Sequence, residues 1–379
     1  MYFDNAATSF PKPEWVVKSV TASFMKYGAN PGRGGHEMSV KTAEKVYETR
    51  KLISDLFNGS GAENVCFTTN CTHALNTAIN GLVNAGDHIV ISCFEHNSVL
   101  RPVHLLREKG IADYSVFKVG KTAEETIFNF KNSIRENTKM CVITAVSNVF
   151  GDSLPLEEIG KITKDKGIIF IVDGAQGAGV IPINMDTMHI DCLCVPGHKG
   201  LMGPMGTGAL ILNGVRPKPL MVGGTGTFSK MLEQPLDLPE NLESGTLNVP
   251  GICGLCEGVG FVLNTGIDKI FSKEHKVCEY IADGLREIDG VKVYFTQNNS
   301  IGNLVSFNVK NMHSETVALK LSQYGVAVRG GYHCSALSHN FAGTDKTGTV
   351  RISPSFFTKE KDIKNLLNLI RKIAILNNI

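Results

Sequence analysis

No stretch of 18 consecutive apolar residues occurs in the chain, so no segment reads as a membrane-spanning helix. The opening residues, Met1-Tyr2-Phe3-Asp4-Asn5, lack the basic flank and apolar core of a secretory signal, which points to a cytoplasmic protein. Charge of one sign is also lacking. The formal net charge is +2, and no basic run carries interleaved aromatics. That excludes a global field for nucleic acid or an anionic membrane. No Pro- or Ser-rich linker, low-complexity tract or internal repeat breaks the chain. Ten cysteines are present, yet only Cys253 and Cys256 form a CxxC, and no second pair follows at zinc-finger spacing. We therefore expect reduced thiols and no metal. Cys192 and Cys194 alternate with Leu193 and Val195, as residues packed in a strand do.

What is present is an enzyme-sized chain of 379 residues, with 42% hydrophobic and 20% charged residues. That length suits two domains. Strand patterns over 64–68, 88–92, 140–146, 167–173, 190–195 and 208–212 alternate with helical patterns over 72–83, 97–109 and 156–166. Such alternation predicts an α/β fold with a mainly parallel sheet. From about residue 263 the pattern changes. Helices over 272–288, 315–324 and 359–375 and strands over 291–295, 303–309 and 327–328 predict a smaller α+β domain. The expected division is 14–262 for the large domain and 263–379, with 1–13, for the small one.

The chemistry concentrates at predicted strand ends, where open α/β sheets bind ligands. A buried run, Ile168 to Val172, delivers Asp173, and a carboxylate there needs a cation or strong donor. Pyridoxal phosphate (PLP) supplies one in its protonated pyridine nitrogen. The next strand ends in Pro196-Gly197-His198-Lys199-Gly200, which makes Lys199 a candidate Schiff-base lysine whose burial would lower its pKa. The segment Thr68 to Ala74, with Cys71, Thr72 and His73, begins a helix, and helix N-termini bind phosphate. The small polar loop from Glu243 through Thr246 to Asn248 could serve the same end. His96 follows a strand on the same rim and could stack on the ring. Arg329-Gly330-Gly331-Tyr332-His333-Cys334 is a glycine-rich turn, read as movable, whose cationic neighbours would favour a Cys334 thiolate. Arg351 lies in a strand-like segment. It suits either a substrate carboxylate or an internal salt bridge.

These motifs, in their order and spacing, resemble the class V aminotransferases and, within them, the cysteine desulfurases. The similarity includes residues 2–8 and Asn30 to His36. It extends to Ser147 to Gly151, Asp173 to Gln176 and Gly197 to Lys199. The cysteine segment is similar to that of the type II branch, which includes the selenocysteine lyases. Two positions depart from the family pattern. Pro196 stands where a serine often ligates phosphate, and Tyr332-His333 where two histidines commonly precede the cysteine.

The resemblance implies PLP as cofactor, with Lys199 holding it, Asp173 on the pyridine nitrogen, His96 on the ring face and Gln176 on the phenolic oxygen. Thr72, His73 and His198 would hold the phosphate, with Cys71 also cofactor-binding and Thr246 reaching over from a partner copy in a homodimer. The fold implied is the PLP-dependent transferase fold type I, whose large domain carries a mainly parallel seven-stranded sheet. Asn148 and Arg351, with Arg329 and His36, would bind a small amino-acid substrate, L-cysteine or L-selenocysteine. Cys334 would accept the sulfur and pass it on, with a sulfur-acceptor protein as one possible recipient. Alternatives on the same scaffold are a selenocysteine lyase, another C–S lyase or an aminotransferase. A non-catalytic sulfur carrier or scaffold is the alternative of a different class.

Overall fold

The computed structural model describes residues 1–32, 34–294 and 303–377. Two expectations fall partly outside that range: Phe295, as the end of a strand, and Arg33, within a family-like motif.

The large sheet has seven strands. They are β1 (Val65–Thr68), β2 (Asp87–Ser92), β3 (Ala112–Phe117), β4 (Thr138–Thr144), β5 (Ile169–Asp173), β6 (Cys192–Pro196) and β7 (Gly208–Leu212). Their spatial order is β1-β7-β6-β5-β4-β2-β3. β7 alone runs antiparallel to both of its neighbours, β1 and β6. The carboxyl ends of β1, β2, β4, β5 and β6 therefore share one edge.

Each strand sends successive side chains to opposite faces, and both faces are covered. Val90, Ile143, Phe170, Val172, Leu193 and Val195 enter one apolar cluster. Ile89, Ile91, Val142, Ile171, Cys192 and Cys194 enter the other. The two strand cysteines are thus core residues, as their alternation predicts. Cys253 and Cys256 are likewise buried, unpaired, on a later apolar helix, Val249–Thr265.

The helices that set the site begin at that shared edge. They are α3 (Cys71–Leu82) after β1, α4 (Asn97–Glu108) after β2 and α6 (Leu156–Lys166) after β4; α5 (Ala123–Ser133) follows β3. Two long helices precede them, α1 (Glu14–Lys26) and α2 (Glu37–Phe57), and neither is evident from sequence pattern. The reason is physical for α2: its buried side includes Ser39, Thr42, Thr49, Arg50 and Ser54, so it carries no clean apolar stripe.

A second, antiparallel sheet of four strands has its own core. It comprises β8 (Val291–Tyr294), β9 (Val305–Val309), β10 (Arg329–Gly331) and β11 (Thr349–Ile352), in the order β10-β11-β9-β8. Two expectations change here. Ala327–Val328 is not a strand of this sheet; Ala327 makes an isolated parallel bridge with Tyr2. The Arg-Gly-Gly run is not a turn but β10, paired with β11. Gly330 is small because a Cβ there would meet Ser314 O at 2.6 Å, and Gly331 adopts φ +109°. Among the described residues no helix is long and apolar enough to cross a membrane.

Candidate active site

Asp173 ends β5, and Lys199 lies three residues beyond the end of β6. Both line a cavity of about 100 Å³ with Cys71, Thr72, His96, Asn148, Gln176 and His198. The fold thus gathers eight of the expected residues around one space. Lys199 opens on that space, and its surroundings disfavour the ammonium form. Burial first, then the Arg351 charge, lower its pKa to about 8, against an opposing pull from Asp173. Its amine makes no hydrogen bond or ion pair among the described residues. The loop itself is clamped from the N-terminal segment, with Ser9 Oγ donating to Lys199 O at 2.9 Å and Lys12 Nζ to His198 O at 2.7 Å.

His96 is the N-cap of α4, and its Nδ1 accepts from Ser98 N at 3.0 Å. The ring proton is therefore on Nε2. Burial lowers the His96 pKa to about 4, so the ring is neutral. Ser98 Oγ in turn meets Thr72 Oγ1 at 2.8 Å, which ties the start of α3 to the start of α4. Asn70 caps α3 by accepting from His73 N at 2.9 Å. Cys71 and Thr72 occupy its first turn, where helix geometry leaves N–H groups unpaired.

The group implied by the resemblance is tested by what the protein leaves unmet. His198 Nδ1, Asn148 Oδ1 and Arg351 Nε are all sealed from solvent with no hydrogen-bond partner among the described residues. Such atoms are rare and costly in a finished core. His198 and Asn148 line the cavity with Lys199, Asp173 and the first turn of α3, so an amine for the aldehyde, a carboxylate for the ring nitrogen and helix N-terminal N–H groups for the phosphate are in one place, and the residues fit PLP.

Three expected residues are placed elsewhere. His73 and Thr246 line a separate cavity of about 140 Å³ that Lys199 does not enter. The His73 ring lies 3.4 Å from Thr69 N and Oγ1. His36 is exposed and caps α2 by accepting from Ser39 N. Gln176 lines the Lys199 cavity, and its Nε2 donates to Ala6 O at 3.0 Å.

Arg351 is held by the protein itself. Its Nη2 pairs with Asp4 Oδ1 at 3.0 Å, and its Nη1 donates to Asn148 O at 2.8 Å. The internal salt bridge foreseen as one option is therefore present. Asp4, contributed by the first residues of the chain, carries no local signal that would have identified it.

Cys334 is the exposed member of the ten cysteines; the other nine are buried. It follows β10 in a short, anchored loop. Asn148 Nδ2 donates to His333 O at 2.6 Å, and Asn97 N to Cys334 O at 2.8 Å. Buried Ser335 donates from Oγ to Glu95 O at 2.9 Å. These bonds hold two successive non-glycine residues in the left-handed region, His333 at φ +49° and Cys334 at φ +57°. Arg329 Nη2 lies 4.0 Å from Cys334 Sγ.

Glu95 was not foreseen. It is fully buried, with Oε1 accepting from Ser92 Oγ and from Thr144 N, and with Oε2 unpartnered. Burial raises its pKa to about 8. The signal available in the sequence was its position between a core strand and His96.

Comparison with known proteins places this geometry. A probable cysteine desulfurase of Methanothermobacter thermautotrophicus is 33% identical over 99% of this chain and 94% of its own. One from Pyrococcus abyssi is 32% identical with the same coverage. An apo cysteine desulfurase structure from Thermococcus onnurineus NA1 superposes with TM-score 0.89 at 32% identity, covering 99% of this chain and 94% of that one. The family model of the class V aminotransferases matches residues 1–366, and this chain belongs to that family.

Proposed function

We propose that the protein is a PLP-dependent cysteine desulfurase that converts L-cysteine to L-alanine and takes up the sulfur as a persulfide on Cys334. One juxtaposition carries this reading. A lysine with a lowered pKa and a strand-end carboxylate share a cavity, and Asn148, which lines that cavity, is bonded directly to the loop of the exposed cysteine. The similarity to the archaeal relatives supports it further.

When bound, PLP supplies the electron sink that makes the substrate Cα proton removable. Lys199 would carry the cofactor, and Asp173 would accept from its ring nitrogen. Thr72, the first N–H groups of α3 and His198 would hold its phosphate. Once displaced by the substrate amine, the Lys199 amine, its pKa lowered, would take the substrate Cα proton near neutral pH. His96, neutral, would stack on the ring without adding charge. The Arg329 guanidinium lies 4.0 Å from the Cys334 sulfur, beside the thiolate that would react. That thiolate attacks the substrate sulfur: the S–S bond forms as the C–S bond breaks, and the carbon fragment keeps the bonding pair. Protonation of that fragment leads to alanine. A thiol acceptor or a reductant then removes the sulfur from exposed Cys334.

The reading includes a homodimer. Val222, Leu232 and Leu236 are 71%, 99% and 84% exposed, an apolar surface that a second copy would cover. Thr246 of one copy would reach the cofactor phosphate of the other. It also includes the domain division 14–262 and 263–379 with 1–13, supported by the bridges Tyr2–Ala327 and Asp4–Ser353. A cytoplasmic location fits ten unpaired cysteines.

The test is the absorbance of the purified protein with PLP, followed by L-cysteine and a reductant, with alanine and sulfide assayed. A yellow chromophore and both products in equal amounts are expected. A chromophore without either product would move the reading to another substrate, L-selenocysteine first. The absence of any chromophore would remove the enzyme reading.

A further inference from the structure

Asp173 has two oxygens with unequal surroundings. Oδ1 accepts from Ala175 N at 2.9 Å and from Cys71 Sγ at 3.3 Å. Oδ2 receives no hydrogen bond among the described residues, yet it is not one of the polar atoms sealed without a partner. Since Asp173 lines the Lys199 cavity, Oδ2 keeps its open surface there. Cys71 occupies the first turn of α3, where a phosphate contact is expected. Its side chain is instead buried against the carboxylate.

The thiol has one proton and two acceptors at 3.3 Å, Asp173 Oδ1 and Cys194 O. The charged oxygen is the stronger acceptor, so the proton faces Asp173. Burial and the Asp173 charge both raise the Cys71 pKa well above the ordinary value, so the group remains a donor rather than a thiolate.

We propose that Cys71 is a positioning residue for Asp173: its S–H, together with the Ala175 N–H, saturates Oδ1 and fixes the carboxylate with Oδ2 presented to the ring nitrogen of the bound cofactor. The inference rests on the PLP reading above and extends it to a side chain that acts on the cofactor through Asp173. Without Cys71 the carboxylate keeps only one donor on Oδ1 and can rotate. Part of the energy of meeting the ring nitrogen is then spent on re-ordering it.

The experiment titrates PLP into apoenzyme and compares it with a carbocyclic analogue that has C–H in place of the ring nitrogen. For Cys71→Ala the PLP dissociation constant is expected to rise about tenfold, the size of one lost hydrogen bond to a charged group. For the analogue, which gives Asp173 nothing to accept, the wild type and the variant should bind alike. Cys71→Ser, which restores a donor, should return PLP affinity most of the way. Equal PLP affinity in the wild type and Cys71→Ala overturns the proposal. So does an equal loss of PLP and analogue, which would mark Cys71 as packing only. Wild-type apoenzyme that takes up no PLP overturns both this proposal and the reading beneath it. Wild type that binds PLP but does not desulfurate cysteine overturns only the substrate assignment.

Discussion

The side-chain amide of Asn148 donates to the carbonyl oxygen of His333 at 2.6 Å, across 185 residues of sequence. Asn148 follows β4 of the large sheet, and His333 follows β10 of the small one. One hydrogen bond thus joins the cofactor cavity to the loop that presents Cys334. The thiol is placed by the same atoms that shape the cavity, not by a flexible arm.

Removing a strut of that loop should therefore act on turnover. In Ser335→Ala, the bond to Glu95 O is lost, and the left-handed pair His333–Cys334 can relax. A loss of about 1–2 kcal/mol in stability is expected from a buried hydrogen bond. We expect kcat to fall roughly tenfold, an order-of-magnitude figure for a displaced reacting group, with PLP affinity unchanged. Denaturant melts, steady-state kinetics and cofactor titration measure these. Unchanged kcat would mean that the loop geometry does not matter to the reaction.

Asp4 compensates a guanidinium that is almost wholly buried. Asp4→Asn leaves that charge without its partner. Breaking a fully buried pair costs about 3–5 kcal/mol; because Asp4 keeps some water contact, we expect about 2–3 kcal/mol. Urea denaturation at neutral pH reads this directly. An unchanged midpoint would show Arg351 satisfied by other groups.

Glu95 gives a pH signature. Its folded pKa, about 8, lies above the ordinary glutamate value of 4.5. With a raised pKa, its contribution is fully present below pH 4.5 and is lost as pH rises toward 8, because the unfolded chain ionises first. Glu95→Gln does not titrate. The stability of wild type relative to Glu95→Gln should fall by about 3–5 kcal/mol between pH 4.5 and 8. A flat difference across that range would mean that Glu95 is ionised in the folded protein.

Much of this architecture is legible in the sequence, for identifiable reasons. α6 is legible from end to end because Gly167, in the left-handed conformation, ends it. β5 and β6 are short apolar runs that stop at Asp173 and at Pro196-Gly197, so the pairing of acid and lysine could be inferred from the two strand ends alone. α2 was hidden by its polar buried face. β10 was hidden by its glycines, of which Gly330 packs closely against Ser314. The Asp4–Arg351 pair and the Asn148–His333 bond join residues hundreds of positions apart or nearly so, and no local pattern encodes them. The helix start pointed to Cys71 through its place on α3, but the contact of its thiol with Asp173 Oδ1 joins residues 102 positions apart and has no local signal.

The most direct test of the central claim is a single turnover of L-cysteine, without reductant, by PLP-loaded wild type and Cys334→Ser. Alanine is quantified and Cys334 is examined by mass spectrometry. The account predicts that wild type forms alanine once per cofactor and gains one sulfur atom on Cys334, while Cys334→Ser keeps its chromophore and forms neither alanine nor persulfide. Alanine formation by Cys334→Ser at the wild-type rate would contradict it.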